Sequence, residues 1–153
     1  MGADARLAEL GIELPPGSEP VAHYRMAVRS GDLLFVSGHG PAHGDGVKVR
    51  GKVGADLDLA EARAAARLVG VNLLATVRRE LGSLDAVRRV VKVMGMVNCA
   101  PGFDQTPAVI DGCSDLLVEV FGPEAGGHAR SAVGMAELPY GLAVEIEMIV
   151  EVG

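Results

Sequence analysis

The segment from His128 to Glu151 holds the residues of this chain best placed to do chemistry. It alternates apolar and polar positions on both sides of Leu138-Pro139-Tyr140-Gly141, which reads as strand, turn, strand. Side chains alternate between faces along a strand. Arg130, Ala132, Gly134 and Ala136 therefore share one face, and Val133 and Met135 take the other. A guanidinium over a floor of small residues leaves room for something flat beside a rigid fork of donors, the geometry that grips a carboxylate through two parallel bonds. On the second strand Val144, Ile146, Met148, Val150 and Val152 form an apolar face, and Glu145, Glu147 and Glu151 lie opposite. Glu147 and Glu151 read as solvated sheet. Glu145 follows the turn closely and falls near the Arg-bearing strand. From spacing alone, Arg130 with Glu145 is either a small-molecule site or a surface ion pair.

Other reactive side chains offer less. His39 and His43 stand four apart in a glycine-rich loop, but no third ligand accompanies them, so no metal site is expected. His39 reads as a wall residue of a cleft, and His23 and His128 as surface or subunit-edge residues. Cys99 and Cys113 make neither a disulfide framework nor a metal cluster, and both read as inert thiols. No Ser/His/Asp constellation or cofactor motif stands out, and no cofactor is expected. The net charge of −6 and the lack of an aromatic-basic stripe argue against a nucleic-acid partner. No apolar run reaches the roughly 18 residues of a membrane span. With no signal peptide at the start and few cysteines, a reducing cytoplasm is the expected setting.

The elements that must carry Arg130 and Glu145 follow from periodicity. A length of 153 residues fits one domain, with residues 1–20 as an N-terminal arm: a short helix over Asp4–Leu10, then a connector with Pro15, Pro16 and Pro20. Tyr24–Arg29 and Leu33–Ser37 read as a hairpin around Ser30-Gly31-Asp32. Lys48–Gly54 adds an optional short strand. Asp56 or Asp58 caps a long helix through Glu80, with an apolar stripe from Ala62 to Leu81 and Gly82-Ser83 as its stop. Arg63, Arg67, Arg78 and Arg79 fall off that stripe, as a solvated face does. Ala86–Asn98 is a long strand, apolar on both faces beyond Val93. A second long helix runs from Thr106 to Val120, and Gly122-Pro123 stops it. The order β-β-(β)-α-β-α-β-β predicts an α+β layer, with two helices on one face of a mixed sheet. The other face would be bare and half apolar in a monomer, so oligomerisation is expected to cover it.

In this order and spacing the motifs resemble a known family. They are Tyr24, Ser30-Gly31-Asp32-Leu33-Leu34-Phe35-Val36-Ser37-Gly38, Gly51-Lys52-Val53-Gly54, Asn72-Leu73-Leu74-Ala75, Gly82-Ser83-Leu84-Asp85, Ala129-Arg130-Ser131, Leu138-Pro139 and Val144-Glu145-Ile146-Glu147. The chain resembles, from about Val21 to Val152, the YjgF/Rid family of reactive-intermediate deaminases, also labelled endoribonuclease L-PSP. The resemblance implies a chorismate-mutase-like fold, assembled as a homotrimer with three inter-subunit clefts. It also implies hydrolysis of 2-imino or 2-enamino acids to 2-keto acids and ammonia. In such a cleft Arg130 grips the substrate carboxylate and Glu145 places the attacking water. Tyr24, Ser37 and Gly38 line the wall, with His39 beside them.

Three departures mark a divergent branch. Ala132 stands where such deaminases commonly carry Cys, His39 where Gln is usual after Ser-Gly, and Asp111 in place of a cleft Asn. Ala132 can serve the cleft only through its backbone, and Asp111 puts an acid near an anionic substrate. The alternatives are a trimeric small-carboxylate-binding protein with little catalysis and, less supported, an endoribonuclease. Chorismate mutase chemistry would want several cations, and only Arg130, with Arg25 as a weak second, is at hand.

Overall fold

Asp58 starts the longest helix by local chemistry. Its carboxylate accepts from the Glu61 backbone N–H at 2.8 Å, and the Glu61 carboxylate accepts from the Asp58 N–H at 2.9 Å. This reciprocal cap satisfies two donors that the first turn would otherwise leave open, a contribution of about 1 kcal/mol. The helix, α2, runs Leu59–Leu81 and ends on Gly82 in the left-handed conformation (φ 83°). The computed structural model describes residues 1–153, in the order α1 (Ala3–Glu9), β1 (Ala27–Ser30), β2 (Leu33–His39), α2, β3 (Val87–Asn98), α3 (Thr106–Gly126), β4 (Ala129–Met135) and β5 (Val144–Val152). In α3 the regular turns break at Gly122 (φ 82°), just before Pro123, and one further turn follows.

The five strands form one mixed sheet in the order β1-β2-β5-β3-β4. Every neighbouring pair is antiparallel except β3 and β4, which are parallel and joined through α3. This α+β fold is the expected class. Two expectations about its parts are corrected. Lys48–Gly54 forms isolated bridges to Ala42, Cys99 and Leu142 and no strand. The strands of Arg130 and Glu145 are not neighbours, because β3 lies between them.

One face of the sheet carries α2 and α3. Val93 and Val97 of β3, and Val144, Ile146, Val150 and Val152 of β5, are fully buried against Leu73, Ile110, Leu116 and Leu117. Two glycines set how closely α3 seats. A Cβ on Gly95 of β3 would lie 2.5 Å from the Ile110 side chain, and one on Gly112 of α3 would lie 2.1 Å from the Arg63 carbonyl oxygen of α2. Along the outer edge of the helix pair Arg63 meets Asp115 at 2.6 Å and Arg67 meets Glu119 at 2.7 Å, while Arg79 binds Glu19 of the arm. Three of the four helix arginines thus have acidic partners and make no open cationic groove.

The opposite face bears no helix. Val28, Phe35 and Ile149 lie in register across β1, β2 and β5 there, and Val28 and Phe35 are exposed.

Candidate functional site

Register places the candidate residues in two groups. Arg130 pairs with Val93 of β3, and Glu145 pairs with Met96. Val93 and Met96 are three residues apart, so Arg130 and Glu145 leave the sheet on opposite faces. Arg130 points to the helix side at the outer strand, and Glu145 to the bare side near the middle.

The Arg130 group is built by β4 and α3. Asp111 and Ser114, one helical turn apart on α3, face the guanidinium together. Nη1 donates to Asp111 Oδ1 at 2.7 Å and to Ser114 Oγ at 3.2 Å. Ser114 Oγ lies 2.9 Å from Nε2 of His128, whose Nδ1 lies 2.6 Å from the Gly126 carbonyl. With Nδ1–H donating to that carbonyl, Nε2 accepts from the serine hydroxyl, and the serine oxygen is left to accept from Arg130. Both N–H bonds of Nη1 are thereby committed, while Nε and Nη2 make no hydrogen bond within the chain. That unengaged edge is the one that binds a carboxylate side-on. The Arg130 and Asp111 side chains are 23% and 42% exposed, so the ion pair holds the geometry without sealing the site, and its net worth is about 1 kcal/mol or less.

The small residues beside Arg130 prove to be less open than the pattern suggests. Thr106 Oγ1 donates to the Ala132 carbonyl at 3.0 Å, and a Cβ on Gly134 would lie 3.1 Å from Cys99 Sγ. Ala132 and Gly134 make room for the start of α3 and for Cys99. Burial raises the Cys99 thiol above its ordinary pKa, partly opposed by Lys52, and pushes fully buried Cys113 up to about 12. Neither is a ready nucleophile.

The Glu145 group is built by a bulge. Val36 pairs with Met148 and His39 with Ile146, so Ser37 and Gly38 together span one residue of β5. A Cβ on Gly38 would lie 3.0 Å from the carboxyl carbon of Glu145. The missing side chain lets the acid lie closely across the bulge. Burial raises the pKa of half-buried Glu145, and neighbouring Glu147 raises it further. Ser37 ties in the chain ahead of β1: its N–H donates to the Met26 carbonyl at 2.9 Å and its hydroxyl to the Arg25 carbonyl at 2.6 Å. This holds the segment carrying exposed Tyr24 beside the bulge.

His39 does not join that group. It is buried, with Nδ1 2.7 Å from the Ser37 carbonyl and Nε2 2.7 Å from Thr76 of α2. Burial lowers its pKa, which favours a neutral ring that donates from Nδ1 and accepts the Thr76 hydroxyl at Nε2. The extra residue of the bulge reverses the alternation, turning His39 into the core instead of along the wall. Ser114 and His128 are the contacts that sequence reading missed. The i, i+3 spacing of Asp111 and Ser114 was the available signal.

None of the five main surface hollows is lined by Arg130 or Glu145. The largest, about 610 Å³, lies between the arm and the end of α2, at Pro15, Arg78 and Arg79. No helix is long and apolar enough to cross a membrane.

Residues 4–150 match the sequence profile of a family described as "YjgF/chorismate mutase-like, putative endoribonuclease". The chain is similar to Protein TCP17 of Trypanosoma cruzi, at 44% identity over 96% of this chain and 92% of that one. It is 30% identical to a 2-iminobutanoate/2-iminopropanoate deaminase of Dermatophagoides farinae, over 91% of this chain and 93% of the relative. A protein of unknown function from Agrobacterium tumefaciens has the same fold, with a TM-score of 0.91 at 45% identity, covering 99% of this chain and 92% of that one.

Proposed function

Because the chain belongs to the YjgF/chorismate-mutase-like family, we propose that it hydrolyses 2-imino and 2-enamino acids to 2-keto acids and ammonia, in clefts between the subunits of a homotrimer. The observation that carries this reading is the unengaged Nε/Nη2 edge of Arg130, on a guanidinium already fixed through Nη1. Glu145 lies on the other face of the same sheet, so one chain cannot bring both groups to one ligand. A second copy can, by setting its bare sheet face against this chain's β4 edge. The exposed Val28 and Phe35 give that bare face a reason to be covered. The deaminase relative supports the reaction class, and the two free thiols fit a reducing compartment such as the cytoplasm.

The chemistry asked of the protein is modest. The iminium carbon is already electrophilic. Arg130 fixes the carboxylate, and Glu145 of another subunit orients a water and accepts its proton as the C–O bond forms. That proton passes to nitrogen. The carboxylate then takes the remaining hydroxyl proton as the C=O bond forms and the C–N bond breaks. Ammonia leaves with the 2-keto acid, and the proton on Glu145 passes to ammonia or solvent. The raised pKa of Glu145 brings it nearer neutrality, where a carboxylate both accepts and returns a proton. Tyr24, Ser37 and Gly38 form the wall on the Glu145 side, and Ala132 contributes its backbone beside Arg130.

A second reading is a trimeric carboxylate-binding protein with little catalysis. Ala132 and Asp111 favour it, because they stand where such deaminases commonly carry Cys and Asn. Freshly generated 2-iminobutanoate separates the two. Release of 2-ketobutyrate above the spontaneous rate supports the enzyme, and binding of 2-ketobutyrate without acceleration supports the binding protein. A stable monomer in light scattering at micromolar concentration would overturn both.

A further inference from the structure

The pair at the β4 edge is electrically neutral, and that restricts what it can hold. Arg130 carries one positive charge, and Asp111, its only charged partner, carries one negative charge 2.7 Å away. A carboxylate docked on the free Nε/Nη2 edge lies about one guanidinium width from the Asp111 carboxylate. At a half-exposed site the repulsion between them is worth up to about tenfold in affinity. Asp111 itself is only half satisfied: Oδ1 takes the arginine, and Oδ2 has no hydrogen-bond partner within the chain. An acid that pairs one oxygen and presents the other accepts a cationic N–H well.

We infer that Asp111 is a specificity-determining residue that makes the site select zwitterions, meaning carboxylates with a cationic nitrogen on the adjacent carbon, over plain 2-keto acid anions. The inference rests on the proposed role of Arg130 as carboxylate anchor and adds to it the charge class of the ligand. A 2-iminium acid is such a zwitterion and the 2-keto acid is not. Hydrolysis therefore turns a ligand that matches both members of the pair into one that matches only Arg130, and the product is released because its charge no longer fits.

The test is titration calorimetry on the intact assembly with two probes of one carbon skeleton, 2-aminobutyrate (zwitterion) and 2-ketobutyrate (anion). The wild-type protein is expected to bind 2-aminobutyrate about tenfold more tightly. In Asp111→Asn the order should invert, with 2-ketobutyrate gaining up to about tenfold and 2-aminobutyrate losing a similar factor. Asp111→Ser serves as a second neutral variant should the amide disturb α3. An affinity ratio that is the same in the wild type and both variants overturns the inference. Arg130→Ala keeps the two levels apart. If it abolishes binding of both probes while the ratio ignores Asp111, only the charge selection fails. If both probes bind as before, the anchor itself fails.

Discussion

At the β4 edge, Arg130 is fixed before any ligand arrives. Asp111 and Ser114 take both N–H bonds of one nitrogen, and His128 braces the serine from behind. At the β2–β5 bulge nothing of that kind holds Glu145. Its carboxylate lies over Gly38, half-buried, with a second carboxylate close by and its pKa raised. One region is an anchor whose geometry is settled within the chain. The other is a carboxyl whose pKa burial raises and whose position depends on backbone packing. The contrast suits a division of labour in which the first binds and the second moves protons.

Variants can break that division. The largest effect is expected from Glu145→Gln, which should lower kcat for imine hydrolysis by about 10²- to 10⁴-fold with KM little changed, as loss of a general base does. An equal fall in affinity would show that Glu145 binds rather than reacts. Next, Arg130→Ala should weaken 2-ketobutyrate by roughly two decades, about 3 kcal/mol, and Arg130→Lys should restore little, because an ammonium cannot copy the planar fork. Unchanged affinity by calorimetry would make Arg130 structural. Ser114→Ala removes one brace from Nη1 and should cost about 1 kcal/mol, roughly fivefold in affinity, without changing the pH profile of kcat. A shift of that profile would mean the two regions are coupled.

The smallest effect concerns stability. Glu145 has its folded pKa raised, so the folded state favours its protonated form. Its contribution to stability is full below the ordinary carboxylate range and is lost as pH rises through the raised value. Glu145→Gln, which stays neutral, should therefore melt higher than the wild type at pH 7 and converge with it near pH 4. Parallel melting curves across that range would show that burial places no strain on the acid.

Much of the scaffold was legible because local signals agree with tertiary packing. Asp58 and Gly82 bound α2 as caps should, and β5 buries the valines that alternation assigns to the core. On β3 alternation holds at Val93 and Val97 but fails at a register shift that buries Val90 in place of Val91. Glu145 reads as near the Arg-bearing strand because it follows the turn closely, yet β3 separates the two strands. The stronger signal was strand, long helix, strand from β3 through α3 to β4, the arrangement that makes strands parallel and adjacent. His39 was misplaced for a different reason. Counting by twos from Val36 sets it with Phe35 on the bare face, and a one-residue bulge reverses that count. Alternation does not reveal a bulge, because nothing in the sequence of apolar and polar positions marks the extra residue. Ser114 went unread because its i, i+3 spacing from Asp111 shows only that the two share a helix face, and not which strand meets that face.

Gly95 has a consequence beyond packing. The absent side chain lets Ile110 press onto β3, and Ile110 is the residue before Asp111. The gap between acid and guanidinium is thus gauged from inside the core, by a position that touches neither. A single methyl at 95 would lift the helix off the strand and slacken the Asp111–Arg130 pair, leaving both side chains intact. If Asp111 selects ligands by charge as inferred, that selection is adjustable from beneath, and relatives with identical surface residues need not share a ligand if they differ at this one buried spacer.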